Sequence, residues 1–262
     1  MPTAGSGVTQ GERWGVRAAD WADLVEATAL PAYEAVFDAV GMSGKTLLDV
    51  GCGSGMALQV AASRGAAVTG LDASAGLLEI ARRRVPTAAL HEGEMESMPF
   101  PAASFDVVTG FNSFQYAERP VAALAEARRV ARSGGAVIIL TFGRPEDCQT
   151  EGYLAALGAL MPPAPPGTEG PFALSAPGKL EALAREAGLT PIGAHDVSCP
   201  WIFPDLPTAL RGLMSTGRAI AAIRRSGESA VLDAVTASIA PFRAADGHYR
   251  LETTFRYLES RA

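Results

Sequence analysis

Thr46-Leu47-Leu48-Asp49-Val50-Gly51-Cys52-Gly53-Ser54-Gly55 is the stretch that decides the fold of this chain. Its first half, Thr46 to Val50, has the length and apolar character of a short buried strand. Three alternate glycines follow at once. Met56 to Ala62 then carries helix-forming residues with neither proline nor glycine among them. Strand, glycine turn and helix together bring a ligand against bare backbone at a helix N-terminus.

Two ligand classes compete for such a turn. The dinucleotide fingerprint G-x-G-x-x-G holds a pyrophosphate on the helix N-terminus, but here its third glycine position is Met56. Asp49 just ahead of the loop would repel a diphosphate and attract an ammonium or sulfonium group. The next acid at a strand end, Asp72 in Val68-Thr69-Gly70-Leu71-Asp72, is placed to accept hydrogen bonds from a ribose diol. A cationic nucleoside fits this pattern better than a nicotinamide dinucleotide.

LLDVGCGSG followed by GLDAS resembles the class I S-adenosylmethionine-dependent methyltransferases. GEMESMPFPAASFDVV and RRVARSGGAVIIL resemble the third and fifth motifs of that family, closest to its small-molecule branch. The resemblance runs from about Trp14 to Phe142. It implies a doubly wound, seven-stranded Rossmann-like α/β sheet, with S-adenosylmethionine as cofactor and S-adenosylhomocysteine as product. Asp49 and the loop Gly51, Cys52, Gly53 and Gly55 would then hold the amino acid moiety. Asp72, with Ala73 and Leu77 beyond it, would take the ribose. Gly93, Glu94, Met95 and Glu96 would frame the adenine, although the family's usual acid is aspartate where this chain has Glu94. Phe111 and Asn112 close the list at the fourth strand. N-terminal helices cover the cofactor in this family, so Trp14, Trp21 and Tyr33 either close the pocket or serve as core aromatics.

The alternation of elements supports the same architecture from pattern alone. Strands at Ala67–Asp72, Ala88–Glu92, Ser104–Asn112 and Ala136–Phe142 alternate with helices capped at Ser74 and spanning Pro120–Ala131, which specifies a doubly wound parallel sheet. Further on, Met161 to Pro171 is dense in proline and glycine and reads as a loop. A helix at Pro177–Ala187 leads to a strand at Ile192–Val197. Residues 209–240 read as helices broken near Gly227, and Tyr249 to Tyr257 alternates as one half-buried strand. The expected organisation is a disordered tail at 1–11 and a methyltransferase domain at 12–262. Within that domain, 12–42 forms a helical cap and 204–245 a helical lid.

The net charge of -6 argues against nucleic acid as a partner, since phosphate binding needs a clustered basic face. Arg82-Arg83-Arg84 and the other arginine pairs fall on helical patterns and read as solvated faces. The three cysteines show no metal-ligand spacing, and Cys52 reads as a small residue filling the loop. The metal-dependent catechol type of this fold would want an acid at the end of the fourth strand, where Gly110, Phe111 and Asn112 supply none, so no metal is expected. With no secretory leader and no apolar run long enough for a membrane span, the expected location is cytoplasmic. The expected partner is a small-molecule acceptor, and a homodimer is left open.

The acceptor side is marked more faintly. The end of the fourth strand delivers Gln115 and Tyr116 to the rim where ligands of open α/β sheets bind. His195, at the expected end of the sixth strand, is the remaining candidate for a base, while His91 and His248 read as structural. An activated methyl needs alignment above all, worth effective molarities of ~10⁵–10⁸ M, so a base signature is not required. The leading expectation is a small-molecule methyltransferase of specialised metabolism. Its rival binds the same cofactor without methyl transfer, for a rearrangement, a cyclisation or ligand sensing.

Overall fold

The computed structural model describes residues 6–162 and 170–262. In chain order these form α1 (Gly7–Gly15), α2 (Ala18–Leu24), α3 (Leu30–Val40), β1 (Thr46–Val50), α4 (Met56–Ser63), β2 (Ala67–Asp72) and α5 (Ala75–Arg84). Next come β3 (Ala89–Glu92), β4 (Phe105–Phe111), α6 (Pro120–Val130), β5 (Ala131–Phe142), α7 (Thr150–Ala159) and α8 (Lys179–Glu186). The chain ends with β6 (Thr190–Ser198), β7 (Trp201–Phe203), α9 (Leu206–Leu213), α10 (Gly217–Ser226), α11 (Glu228–Ile239), β8 (Tyr249–Leu251) and β9 (Thr254–Arg261).

Among the described residues seven strands form one sheet in the order β3-β2-β1-β4-β5-β9-β6. β1 to β5 run parallel, and β9 enters antiparallel between β5 and β6. The order reverses beside β1, which puts the glycine loop at the switch point of the sheet. Neighbouring residues on the central strands go to opposite cores. Leu47, Val107 and Ile138 pack with α3, α4 and the helices after β7, whereas Leu48, Val108 and Ile139 pack with α6 and α8. Both faces are covered, which is why these strands are apolar throughout.

The structure departs from expectation at both ends. Gly7 to Gly11, read above as tail, belong to α1, and only 1–5 of that stretch lie outside the described residues. Gly7, Gly11 and Gly15 stand on one helix face, and that face lies against Ala73 to Gly76. A Cβ on Gly11 would sit 2.1 Å from the Ala73 carbonyl oxygen. The glycines that suggested disorder are there for close approach. Asp20 sits in the first turn of α2.

The expected last strand, Tyr249 to Tyr257, is in fact two. Glu252 is held aside by Gln149, whose Oε1 accepts from the Glu252 N–H at 2.8 Å and whose N–H donates to the Glu252 carbonyl at 2.7 Å. β8 therefore leaves the sheet and pairs with β7, an element the sequence reading missed, setting Trp201 opposite Leu251 and Phe203 opposite Tyr249. Most of the proline-rich loop, 163–169, lies outside the described residues. The helices expected between the last two strands are α9, α10 and α11, broken at Gly227 as anticipated. They pack on α7 and on the N-terminal helices, α1 against α10 and α2 against α9. Three ion pairs, Arg17–Glu228, Asp20–Arg211 and Glu12–Arg224, tie this cap to the lid.

Candidate functional site

A cavity of about 150 Å³ opens at the C-terminal edge of β1, β2 and β4, closed over by α1, α2 and the lid. One end of it is backbone and acid. Gly51, Gly53 and Gly55 all hold positive φ, at 73°, 56° and 85°, a region costly for residues with a Cβ. Gly51 and Gly53 line the cavity. A Cβ on Gly51 would come within 2.5 Å of the Ser113 Cβ, so glycine is demanded by space as well as by φ. Cys52 turns the other way: its sulfur packs over Gly70 in the core, and Gly55 ends the loop ahead of α4 without reaching the cavity.

Three carboxyl groups surround this loop. Asp49, fully buried at the end of β1, accepts a 2.7 Å hydrogen bond from Thr109 Oγ1. Burial pushes its carboxyl up to about 8, against the Thr109 bond, with the charges of Asp72 and Glu26 adding to the rise. Asp72 lines the cavity and accepts from the N–H groups of Gly53 and Ser74, both at 2.8 Å. Burial raises its pKa too, and those two bonds oppose the rise. The third acid, Glu26, escaped the sequence reading because nothing near it in the chain marks it. It follows α2 in a 3₁₀ turn and is buried over the loop, bonded to the Ser54 hydroxyl and to Arg84. Arg84 was read as part of a solvated run. Arg82 and Arg83 do pair with Glu79 at the surface, but Arg84 turns inward and also donates to the Ser54 carbonyl at 3.1 Å. Three acids share one arginine in this buried corner, and burial holds the pKa of each above its ordinary value.

The expected adenine side is divided. Met95, Ala73 and Leu77 line the cavity, and Gly93 and Glu94 line a shallower groove along α1. Glu94 accepts from the Gly7 N–H at 2.6 Å, so this acid is presently engaged with the first turn of α1. Glu96 is not part of the site. It is buried behind it, accepting from the Nε and the N–H of Arg119 at 2.8 and 2.9 Å.

The other end of the cavity is aromatic. Tyr33 and Phe111 meet edge to face at 4.7 Å, and Leu140, Phe142, Tyr153, Leu154, Trp201 and Phe255 complete the chamber. Trp14 stands between the two ends, with its ring 5.7 Å from Trp21 and 5.9 Å from Tyr116. Both tryptophans line the cavity, so Trp14 and Trp21 are wall residues, as is Tyr33. Of the rim residues, Tyr116, Asn112 and Ser113 face the cavity, whereas Gln115 turns aside to bond Asn112. Burial raises the Tyr116 phenol, partly offset by the nearby charge of Arg218. His195 is displaced from the site altogether. It is exposed in the middle of the edge strand β6, its ring stacked on Tyr257 at 4.9 Å.

A family model described as a methyltransferase domain matches residues 48–139, the span that holds the glycine loop, Asp72 and the β4 rim. The chain is similar to the ubiquinone biosynthesis O-methyltransferase of Pseudomonas paraeruginosa, at 33% identity over 160 residues, covering 57% of this chain and 66% of that enzyme. The protein of that name from Pseudomonas fluorescens is 33% identical over 162 residues, with 58% of this chain and 67% of the relative covered. The demethylmenaquinone methyltransferase of Renibacterium salmoninarum is 37% identical over 111 residues, with 42% and 47% covered. The match thus spans about half to two thirds of the length of these relatives. Among solved structures, the (4+2)-cyclase SpnF shares the fold with a TM-score of 0.58 and 20% identity, over 90% of this chain and 81% of that one. On the sheet order, the motif span and these relatives together, the chain belongs to the class I S-adenosylmethionine-dependent methyltransferase family.

Proposed function

We propose that this chain transfers a methyl group from S-adenosylmethionine to a small aromatic acceptor. The observation that carries the reading is a single cavity joining an acidic glycine corner to an aromatic chamber. The donor set fits the family's cofactor: the carboxyl groups of Asp72 and Glu26 border the cavity, Asp49 behind them would ionise as a cation binds, and Gly51 and Gly53 leave backbone open to contact. When bound, S-adenosylmethionine supplies a methyl already activated on sulfur, so the protein's task is orientation.

Each element of that task has a residue. The Asp72 carboxylate uses two acceptor sites on Gly53 and Ser74 and keeps others for a diol. Met95 and Leu77 offer apolar faces to the base. Trp14, Trp21 and Tyr116 close the passage between corner and chamber, which excludes water and fixes the approach line. Positioning of this kind is worth several powers of ten, and a general base adds roughly 10²–10⁴. No histidine lines the cavity among the described residues, and Tyr116 with its raised pKa is a poor base but a sound hydrogen-bond partner. The O-methyltransferase activity named for the ubiquinone-biosynthesis relatives favours an oxygen on an aromatic ring as acceptor.

Calorimetric titration of the purified protein with S-adenosylhomocysteine and with NADH tests the donor site. Micromolar binding of the first alone is expected. Formation of S-adenosylhomocysteine with a panel of phenols and hydroxyquinones tests transfer. An acceptor converted with the cofactor left unchanged would replace transfer by rearrangement, and binding of neither ligand would end the reading.

A further inference from the structure

The aromatic chamber holds two polar groups that the donor corner does not use. Arg218 sits in the first turn of α10, whose start is capped by Thr216, and its Nε is buried without an acceptor among the described residues. Trp201, on β7, likewise has its indole Nε1 buried and unpartnered among the described residues. Both side chains line the cavity. They flank Tyr153: the Trp201 ring is 6.2 Å from the Tyr153 ring, and the Arg218 charge lowers the Tyr153 phenol against the rise caused by burial. The Tyr153 hydroxyl itself is spent, lying 2.7 Å from the Leu213 carbonyl and 2.8 Å from Thr216 Oγ1. Arg84, at the other end of the cavity, is neutralised by Glu26. Arg218 has no carboxylate partner among the described residues. Its guanidinium lies against α7, where a Cβ on Gly158 would meet Nη2 at 3.1 Å, and the start of α10 beside it is pressed onto the Trp14 ring.

An unpaired cation and an orphaned N–H are costly in an apolar wall unless a ligand completes them. Both groups are donors only, so the missing partner is an acceptor, and the arginine makes it an anion. We propose that the acceptor substrate is an aromatic ring bearing an anionic oxygen group, held by Arg218 and Trp201 while the ring fills the chamber. A carboxylate matches the planar guanidinium fork best, and an acidic phenol offers the same charge at one oxygen. This rests on the methyl-transfer reading for the identity of the chamber's occupant, and it adds what orients that occupant.

The test uses matched pairs on the full chain, with and without S-adenosylhomocysteine. Benzoate, 4-hydroxybenzoate and 3,4-dihydroxybenzoate are titrated against their amides, and 4-nitrophenolate against 4-nitroanisole, in wild type, Arg218→Gln and Arg218→Lys. The anion should bind about tenfold or more tightly than its neutral partner in at least one pair, as for a charged hydrogen bond gained in an apolar site. Arg218→Gln should bring that ratio within about twofold of one, Arg218→Lys should keep part of it, and S-adenosylhomocysteine affinity should hold within about twofold in both. The carboxylate and phenolate arms say which anion is preferred. Ratios near one in every wild-type pair, or no binding by any member, would overturn the proposal. A tenfold loss of S-adenosylhomocysteine binding in Arg218→Gln with the ratio kept would assign the arginine to the donor instead. Failure of wild type to bind S-adenosylhomocysteine would count against the methyl-transfer reading, while the ratios measured without it still decide this one.

Discussion

The acidic glycine corner and the aromatic chamber share one cavity and are built in opposite ways. Apart from Glu26, the corner comes from short contiguous stretches at the ends of β1 and β2, rich in glycine and acid, where the Gly53 and Ser74 N–H groups hold the Asp72 carboxylate. The chamber is assembled from side chains far apart in sequence, Tyr33 on α3, Tyr153 on α7, Trp201 on β7, Arg218 on α10 and Phe255 on β9. Binding a fixed ligand by backbone makes a motif. Binding a variable ligand by side chains on a lid makes a composition that only the fold brings together. The two halves should therefore fail separately when mutated.

The largest separation is expected at Asp72. Alanine there removes the charged acceptor of two backbone N–H groups, and hydrogen bonds to charged groups are worth about 1.5–3 kcal/mol each. S-adenosylhomocysteine affinity should fall by roughly a hundredfold, at ~1.4 kcal/mol per decade, with binding of an aromatic ligand in the chamber nearly unchanged. Comparable loss of both ligands would show that the halves are one cooperative site. Unchanged cofactor affinity would sink the assignment of Asp72.

Gly11→Val comes next. The new Cβ would start 2.1 Å from a backbone oxygen, which cannot yield as a side chain would, so α1 must lift from Ala73. α1 has no fully buried residue, so thermal stability should change little. Cofactor affinity should drop by about tenfold through a wall that no longer closes. A melting point that falls sharply would mean α1 supports the fold and not the pocket.

What could be read in advance follows the same division. The sheet, its glycine loop and Asp49 and Asp72 were legible because each depends on neighbours within a few residues: apolar runs, glycine spacing, an acid at a strand end. Glu26 and Arg84 were not, since their pairing joins residues 58 apart and each looks like an ordinary helix-surface charge. Gly7 and Gly11 misled because glycine carries the same letter whether it disorders a tail or lets a helix touch a backbone. The split of β8 from β9 depends on Gln149 gripping Glu252 across 103 residues, which no local pattern records.

A smaller and more diagnostic effect is expected at Asp49. Its carboxyl titrates near 8 in the folded protein against an ordinary 3.8, so the folded state keeps a proton that the unfolded chain releases. Stability should accordingly fall as pH rises from about 4 to about 8. A bound cation stabilises the ionised form, so cofactor affinity should rise over pH 6–8, by at most one decade per unit for one released proton. The facing groups are Asp72 and Glu26, whose charges raise Asp49, and Arg84, which is paired with Glu26. Asp49→Asn should keep the Thr109 bond, raise the melting point at pH 8, weaken the cofactor several-fold and flatten the rise of affinity with pH. A variant as pH-dependent as wild type would move the titration to another member of the cluster.

The smallest effect belongs to His195, and it sharpens the comparison by showing where the strand-end rule holds. β6 runs parallel to β5, since both pair antiparallel with β9, so its C-terminal end at Ser198 does approach the ligand rim. His195 stops three residues short of that end, roughly 10 Å down the strand at about 3.3 Å per residue. It is exposed there, and stacked on Tyr257. After β6 the first residue to line the cavity is Trp201, past the strand end. His195→Ala should therefore leave turnover and cofactor affinity within about twofold, since exposed substitutions away from a site rarely change stability beyond ±0.5 kcal/mol. Trp201→Phe should weaken the aromatic ligand and spare the cofactor. If His195→Ala instead lowered turnover tenfold with normal ligand binding, the lid would have to open far enough to bring that edge to the reacting atoms.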